Sequence, residues 1–189
     1  MEKISVFDLK NIDLKGKIIC FPTDTVYGVG CKIDDLEAIK KIYEMKNRDF
    51  SKPLAVLCKD KNIDEFVLNA SIDALELMEK YWPGALTIIF KKSDKVNSLV
   101  SANLDTVGFR MPNSKIALSV LNEFGVMATT SVNISGEKAL NDSDEIEQEF
   151  SEFIDYMIIE KESLSCNSST VVDASGDKIK ILRQGDIKL

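Results

Sequence analysis

Histidine is absent from this 189-residue chain. That absence removes Ser–His and Cys–His nucleophile pairs, H-E-x-x-H metal sites and imidazole as a general base. Chemistry here must rest on positioning and fixed charge, or on lysine and carboxylates. Cysteine is sparse, and Cys20, Cys31, Cys58 and Cys166 form no C-x-x-C pair. They read as small hydrophobes in a reducing compartment, not as a zinc site or a disulfide frame. No apolar run approaches the length needed to cross a bilayer, and MEKISVFDLK has no signal-like stretch, so a cytoplasmic location is expected. Positive charge is in deficit, with 24 Lys and Arg against 31 Asp and Glu and a pI of about 4.8. That balance argues against non-specific affinity for nucleic acid, though it leaves room for a local basic groove.

What is present suits one compact α/β domain over residues 1–189, with 44% hydrophobic residues to build a core. KIICF (17–21) reads as a short buried strand. In DDLEAIKKIYEMKNR, Leu36, Ile39, Ile42, Tyr43 and Met45 recur at helical spacing, with Asp34 and Glu37 as a start-of-helix box. A turn at Pro53 leads into a strand over 54–58, and SIDALELMEKYW reads as a helix ended by Pro83–Gly84. Further strands follow at 85–91, in TVGFRMP and in VMATTS, with the helix IALSVLNEF between the last two. DSDEIEQEF predicts a surface helix, and DYMIIE, STVVDA and KIKILRQG read as closing strands. Strands alternating with helices imply an α/β fold with a mixed sheet.

Four polar clusters stand out. FPTDTVYGVG places short donors and acceptors after a strand, where open α/β sheets form binding crevices, and Gly28 and Gly30 would let backbone approach a ligand. It also reads as a polar strand-to-helix connection whose glycines serve turn geometry, and composition alone favours that. Lys46, Arg48 and Lys52 in KNRDFSK suit a triphosphate grip, or a helix's last turn complementing its dipole. Arg110, between Phe109 and Met111, calls for a carboxylate or phosphate, supplied by an internal salt bridge or by a ligand. Ser131, Asn133 and Ser135 in TTSVNISGE offer hydroxyl and amide groups at a strand end, or a helix-capping turn. With no histidine, Ser131 has no obvious activator.

Taken in order, FPTDTVYGVG, KNRDFSKPLAVL, TVGFRMP, SVNISG, STVVD and ILRQG resemble successive signature segments of the YrdC-like family of threonylcarbamoyl-AMP synthases. The resemblance implies a twisted, open mixed sheet flanked by helices, with a deep central groove. It also implies formation of threonylcarbamoyl-AMP and pyrophosphate from L-threonine, bicarbonate or carbon dioxide, and ATP with Mg²⁺. That adenylate would feed a tRNA threonylcarbamoyltransferase machinery downstream, and weak tRNA binding is a further implied property. By motif position, Thr25, Arg110, Ser131 and Ser169 would hold threonine. Lys46, Arg48, Lys52, Thr106, Asn133, Asn141 and Arg183 would hold ATP, with Lys46, Arg48 and Lys52 supplying catalytic charge. The sequence departs from the common pattern in places: Leu57 and Cys58 stand where many relatives carry histidine, Ala139-Leu140-Asn141 replaces serine-proline-threonine, and Ser168 replaces a proline. The chain also stops soon after ILRQG, as in the family's short form, with no C-terminal accessory domain expected.

Such a reaction needs no enzyme nucleophile, because the threonine amine and then its carbamate do the attacking. Alignment and charge stabilisation suffice, which a protein without histidine can provide. Two other readings use the same residues: an RNA-binding module, and the carbamoyl-adenylate-forming module of a carbamoyltransferase.

Overall fold

In the strand Thr106–Arg110, Val107 and Phe109 are buried in the larger core, while Thr106, Gly108 and Arg110 alternate with them and line a cavity. Period-two alternation thus gives one strand a packed face and a working face. The computed structural model describes residues 1–189.

The chain begins with β1 (Glu2–Ile4), a 3-10 helix (Val6–Asn11), and the strands β2 (Ile19–Pro22) and β3 (Tyr27–Lys32). Helix α1 (Leu36–Met45), β4 (Ala55–Leu57), β5 (Val67–Leu68) and α2 (Ile72–Tyr81) follow. Then come β6 (Leu86–Lys92), α3 (Ser98–Ser101), β7 (Thr106–Arg110), α4 (Lys115–Phe124) and β8 (Met127–Ser131). Helix α5 (Ser143–Phe150) and β9 (Tyr156–Ile158), β10 (Thr170–Asp173) and β11 (Lys180–Arg183) complete it. All strands join one twisted mixed sheet in the order β1-β9-β2-β3-β8-β4-β7-β6-β10-β11, with β5 paired to β6. No helix is long and apolar enough to cross a membrane.

Helices α1, α2 and α5 bury Ile39, Ile42, Met78 and Phe150 in the larger core. On a second core, α4 buries Val120 and Leu121 against Phe21 and Met127, with Leu9 of the 3-10 helix. Helix α1 starts one residue later than its expected box, because Asp35 rather than Asp34 caps the Ala38 amide. All four cysteines are free, and Cys20, Cys31 and Cys58 are buried. Burial pushes the Cys58 thiol up to about 12, leaving it inert as a nucleophile.

Candidate functional site

The polar run after β2 turns straight back on itself. Phe21 pairs with Gly28 and Pro22 with Tyr27, so FPTDTVYGVG is an antiparallel hairpin, not a strand entering a helix. Thr23 builds its turn: the hydroxyl donates to Val26 O (2.7 Å) and accepts from the amides of Thr25 (3.2 Å) and Val26 (3.3 Å). With that hydrogen spent, the 3.0 Å contact between Thr23 and Thr25 hydroxyls must be donated by Thr25. Gly30 serves packing instead of ligand approach: a Cβ there would meet the Thr129 methyl at 2.6 Å and Ala128 O at 3.1 Å. Gly28 does line the cavity.

That cavity, about 350 Å³, is walled by residues of β4, β6, β7, β8 and β10. Its floor is low where Ala55 and Gly108 are Cα partners, and two residues along the same pairing Leu57 lies beside Arg110. Thr106 and Arg110 lie four residues apart on β7, roughly 13 Å along the strand. At one end Arg110 donates from Nε to Gly84 O (3.0 Å), from Nη1 to Thr25 Oγ1 (2.8 Å) and from Nη2 to Asp24 Oδ1 (2.5 Å). Arg110 therefore answers both expectations: it has an internal salt bridge, and it also lines the cavity with two of its five N–H groups unspent. Towards the other end, Arg48 reaches the wall while donating to Lys52 O (3.1 Å) and Pro53 O (2.8 Å). Across the sheet, Arg183 donates to Ser169 O (2.9 Å) and Ser169 Oγ (3.2 Å), and Ser169 shares a 2.9 Å hydrogen bond with Thr87.

Burial holds the guanidinium groups of Arg48, Arg110 and Arg183 below the ordinary arginine value, with Asp24 opposing that push at Arg110. Arg48 and Arg183 form no salt bridge. Partly desolvated cations answered only by carbonyl and hydroxyl oxygens favour an incoming anion.

Thr25, Arg48, Thr106, Arg110, Ser131, Ser169 and Arg183 thus share one cavity. Lys46, Lys52, Asn133 and Asn141 lie outside its wall. Lys46 is fully buried, Lys52 is exposed, and Asn141 Oδ1 accepts the Tyr27 amide at 3.3 Å. Burial first, and Arg48 second, push the Lys46 ammonium down to about 7. Thr87 falls outside the four polar clusters, and Asp24, though inside FPTDTVYGVG, is assigned no partner by the sequence alone. Thr87 carried a signal, as the one polar side chain in the apolar run ALTIIF.

The family model described as Sua5_yciO_yrdC, telomere recombination, matches residues 12–185. A putative threonylcarbamoyl-AMP synthase of Methanocaldococcus jannaschii is 34% identical over 183 residues, 96% of this chain and 86% of its own length. The threonylcarbamoyl-AMP synthase of Bacillus subtilis is 34% identical over 176 residues, 92% of this chain but 51% of that protein. Among solved structures, P. abyssi Sua5 complexed with L-threonine superposes with a TM-score of 0.90 at 30% identity, covering 97% of this chain and 56% of that one.

Proposed function

This chain belongs to the Sua5/YciO/YrdC family, and from that premise we propose that it makes threonylcarbamoyl-AMP and pyrophosphate from L-threonine, bicarbonate or carbon dioxide, and ATP. In class it is a nucleotidyltransferase, since an adenylyl group passes from ATP to a carbamate oxygen. The observation that carries this reading is the single cavity with Arg110 and Thr25 at one end and Arg48 and Thr106 towards the other. The two unspent N–H groups of Arg110 suit an amino-acid carboxylate, and the hydroxyls of Thr25, Ser131 and Ser169 suit its amine and hydroxyl. Arg48, Arg183 and Thr106 suit the nucleotide's phosphates, where guanidinium charge stabilises the developing charge on the leaving pyrophosphate.

The cavity wall has no carboxylate, and no cluster of three potential metal ligands occurs in the molecule. Mg²⁺ would accordingly be held by the phosphate oxygens of ATP and not by a protein cage. The adenylate would pass to a tRNA-modifying transferase, because a mixed anhydride of this kind is made to be consumed.

Pyrophosphate release tests the reading. Release from ATP should require threonine and bicarbonate together, and Arg48→Ala should lower it roughly a hundredfold in a folded protein. Release that ignores either co-substrate would refute the assignment.

A further inference from the structure

Lys46 is a cation that the cavity does not use directly. It is fully buried, and its Nζ donates to Ser131 O (2.6 Å), Asn133 O (2.8 Å) and Asn133 Oδ1 (2.8 Å). Three oxygens at 2.6–2.8 Å call for three N–H groups, so these contacts hold the amine as an ammonium against the downward push of burial. None of its N–H groups remains for a phosphate. The Asn133 amide is equally committed. Its Nδ2 donates to Ile134 O (2.8 Å) and Glu137 O (3.0 Å), while Oδ1 accepts from Lys46 and lies 2.6 Å from Ser131 Oγ. Reversing the amide would set its NH₂ against the ammonium and its oxygen against two carbonyls, so this orientation is fixed. Oδ1 carries no hydrogen. The Ser131 hydroxyl must therefore donate to it, and its lone pairs alone are left for the cavity that Ser131 lines.

We propose that Lys46 is a positioning residue: through Asn133 it holds the Ser131 hydroxyl as a hydrogen-bond acceptor facing the cavity, to receive an N–H of the substrate's amino group. This inference rests on the amino-acid-activating function above, and it gives that function a polarity. An amine that attacks carbon must keep its nitrogen lone pair free. A serine free to rotate could donate to that nitrogen and occupy the lone pair. One whose hydrogen is locked on Asn133 can only hold an N–H and leave the lone pair exposed. Lys46 would thereby matter to the reaction without touching either substrate.

The test separates the KM for threonine from the KM for ATP in pyrophosphate release. Lys46→Met should raise the threonine KM about tenfold or more and leave the ATP KM within about twofold. The double variant Lys46→Met/Ser131→Ala should be no worse than Ser131→Ala alone, because both act on one hydroxyl. Lys46→Gln keeps two neutral N–H donors and should recover part of the loss; it also carries the test if Lys46→Met fails to fold. A rise in ATP KM with threonine KM unchanged would overturn the proposal, placing Lys46 on the phosphates after all. Losses that multiply in the double variant would overturn it too, as would Lys46→Gln and Ser131→Ala both leaving the threonine KM unchanged. Wild-type release that ignores threonine would instead remove the parent reading, and this inference with it.

Discussion

A guanidinium inside a sheet must be answered on every side, and Arg110 is answered by a carbonyl, a hydroxyl and a carboxylate. The carboxylate matters most, because a lone buried charge costs far more than a buried pair. Asp24→Asn keeps the shape and removes the countercharge, so it should lower stability by roughly 3 kcal/mol. Urea unfolding would measure this, and an unchanged midpoint would show that Asp24 is dispensable. Arg110's need for a partner could be read from its apolar neighbours Phe109 and Met111. The identity of that partner could not, since 86 residues separate it from Asp24 and no local pattern spans that distance. Lys46 shows the opposite case. Its type and position suggested a phosphate contact, but the three acceptors that absorb it come from the strand end 85 to 87 residues away.

At the scale of elements, the hairpin of β2 and β3 sets the cavity's shape, since its turn carries Thr23, Asp24 and Thr25. Strand β3 lies between β2 and β8, and it approaches β8 closely enough that Gly30 has no room for a side chain. Gly30→Ala would press a methyl against Thr129 and a β8 carbonyl and should cost about 1–3 kcal/mol. Gly28→Ala meets nothing nearer than 3.7 Å and should fold normally. Equal melting temperatures for the two variants would contradict this account of β3. The helices α1, α2 and α4 were legible because their apolar residues recur at helical spacing and capping residues precede them. Strand β3 was hidden because YGVGCK carries two glycines and little alternation, and its glycines looked like loop residues. The two-residue β5 and the single-turn α3 fall below what periodicity can register.

Across the whole molecule, a chain of net charge −7 gathers three arginines around one cavity. The acidic surplus sits elsewhere, as on α5, whose sequence SDEIEQEF carries four carboxylates. Such a distribution favours small anions at one place on an acidic protein. The family's motifs were legible because each falls where a strand end or turn meets this cavity. The division of labour among their residues needed the fold, since side chains two apart in sequence, Lys46 and Arg48, differ in whether they line the cavity. Under the proposed function, the amino acid and the nucleotide react within this one cavity. Carbon-labelled bicarbonate tests it most directly: with ATP and threonine present, label should appear in an acid-labile adenylate, and it should vanish when threonine is left out. Label that enters a nucleotide without threonine, or never enters one while ATP is cleaved, would contradict the account.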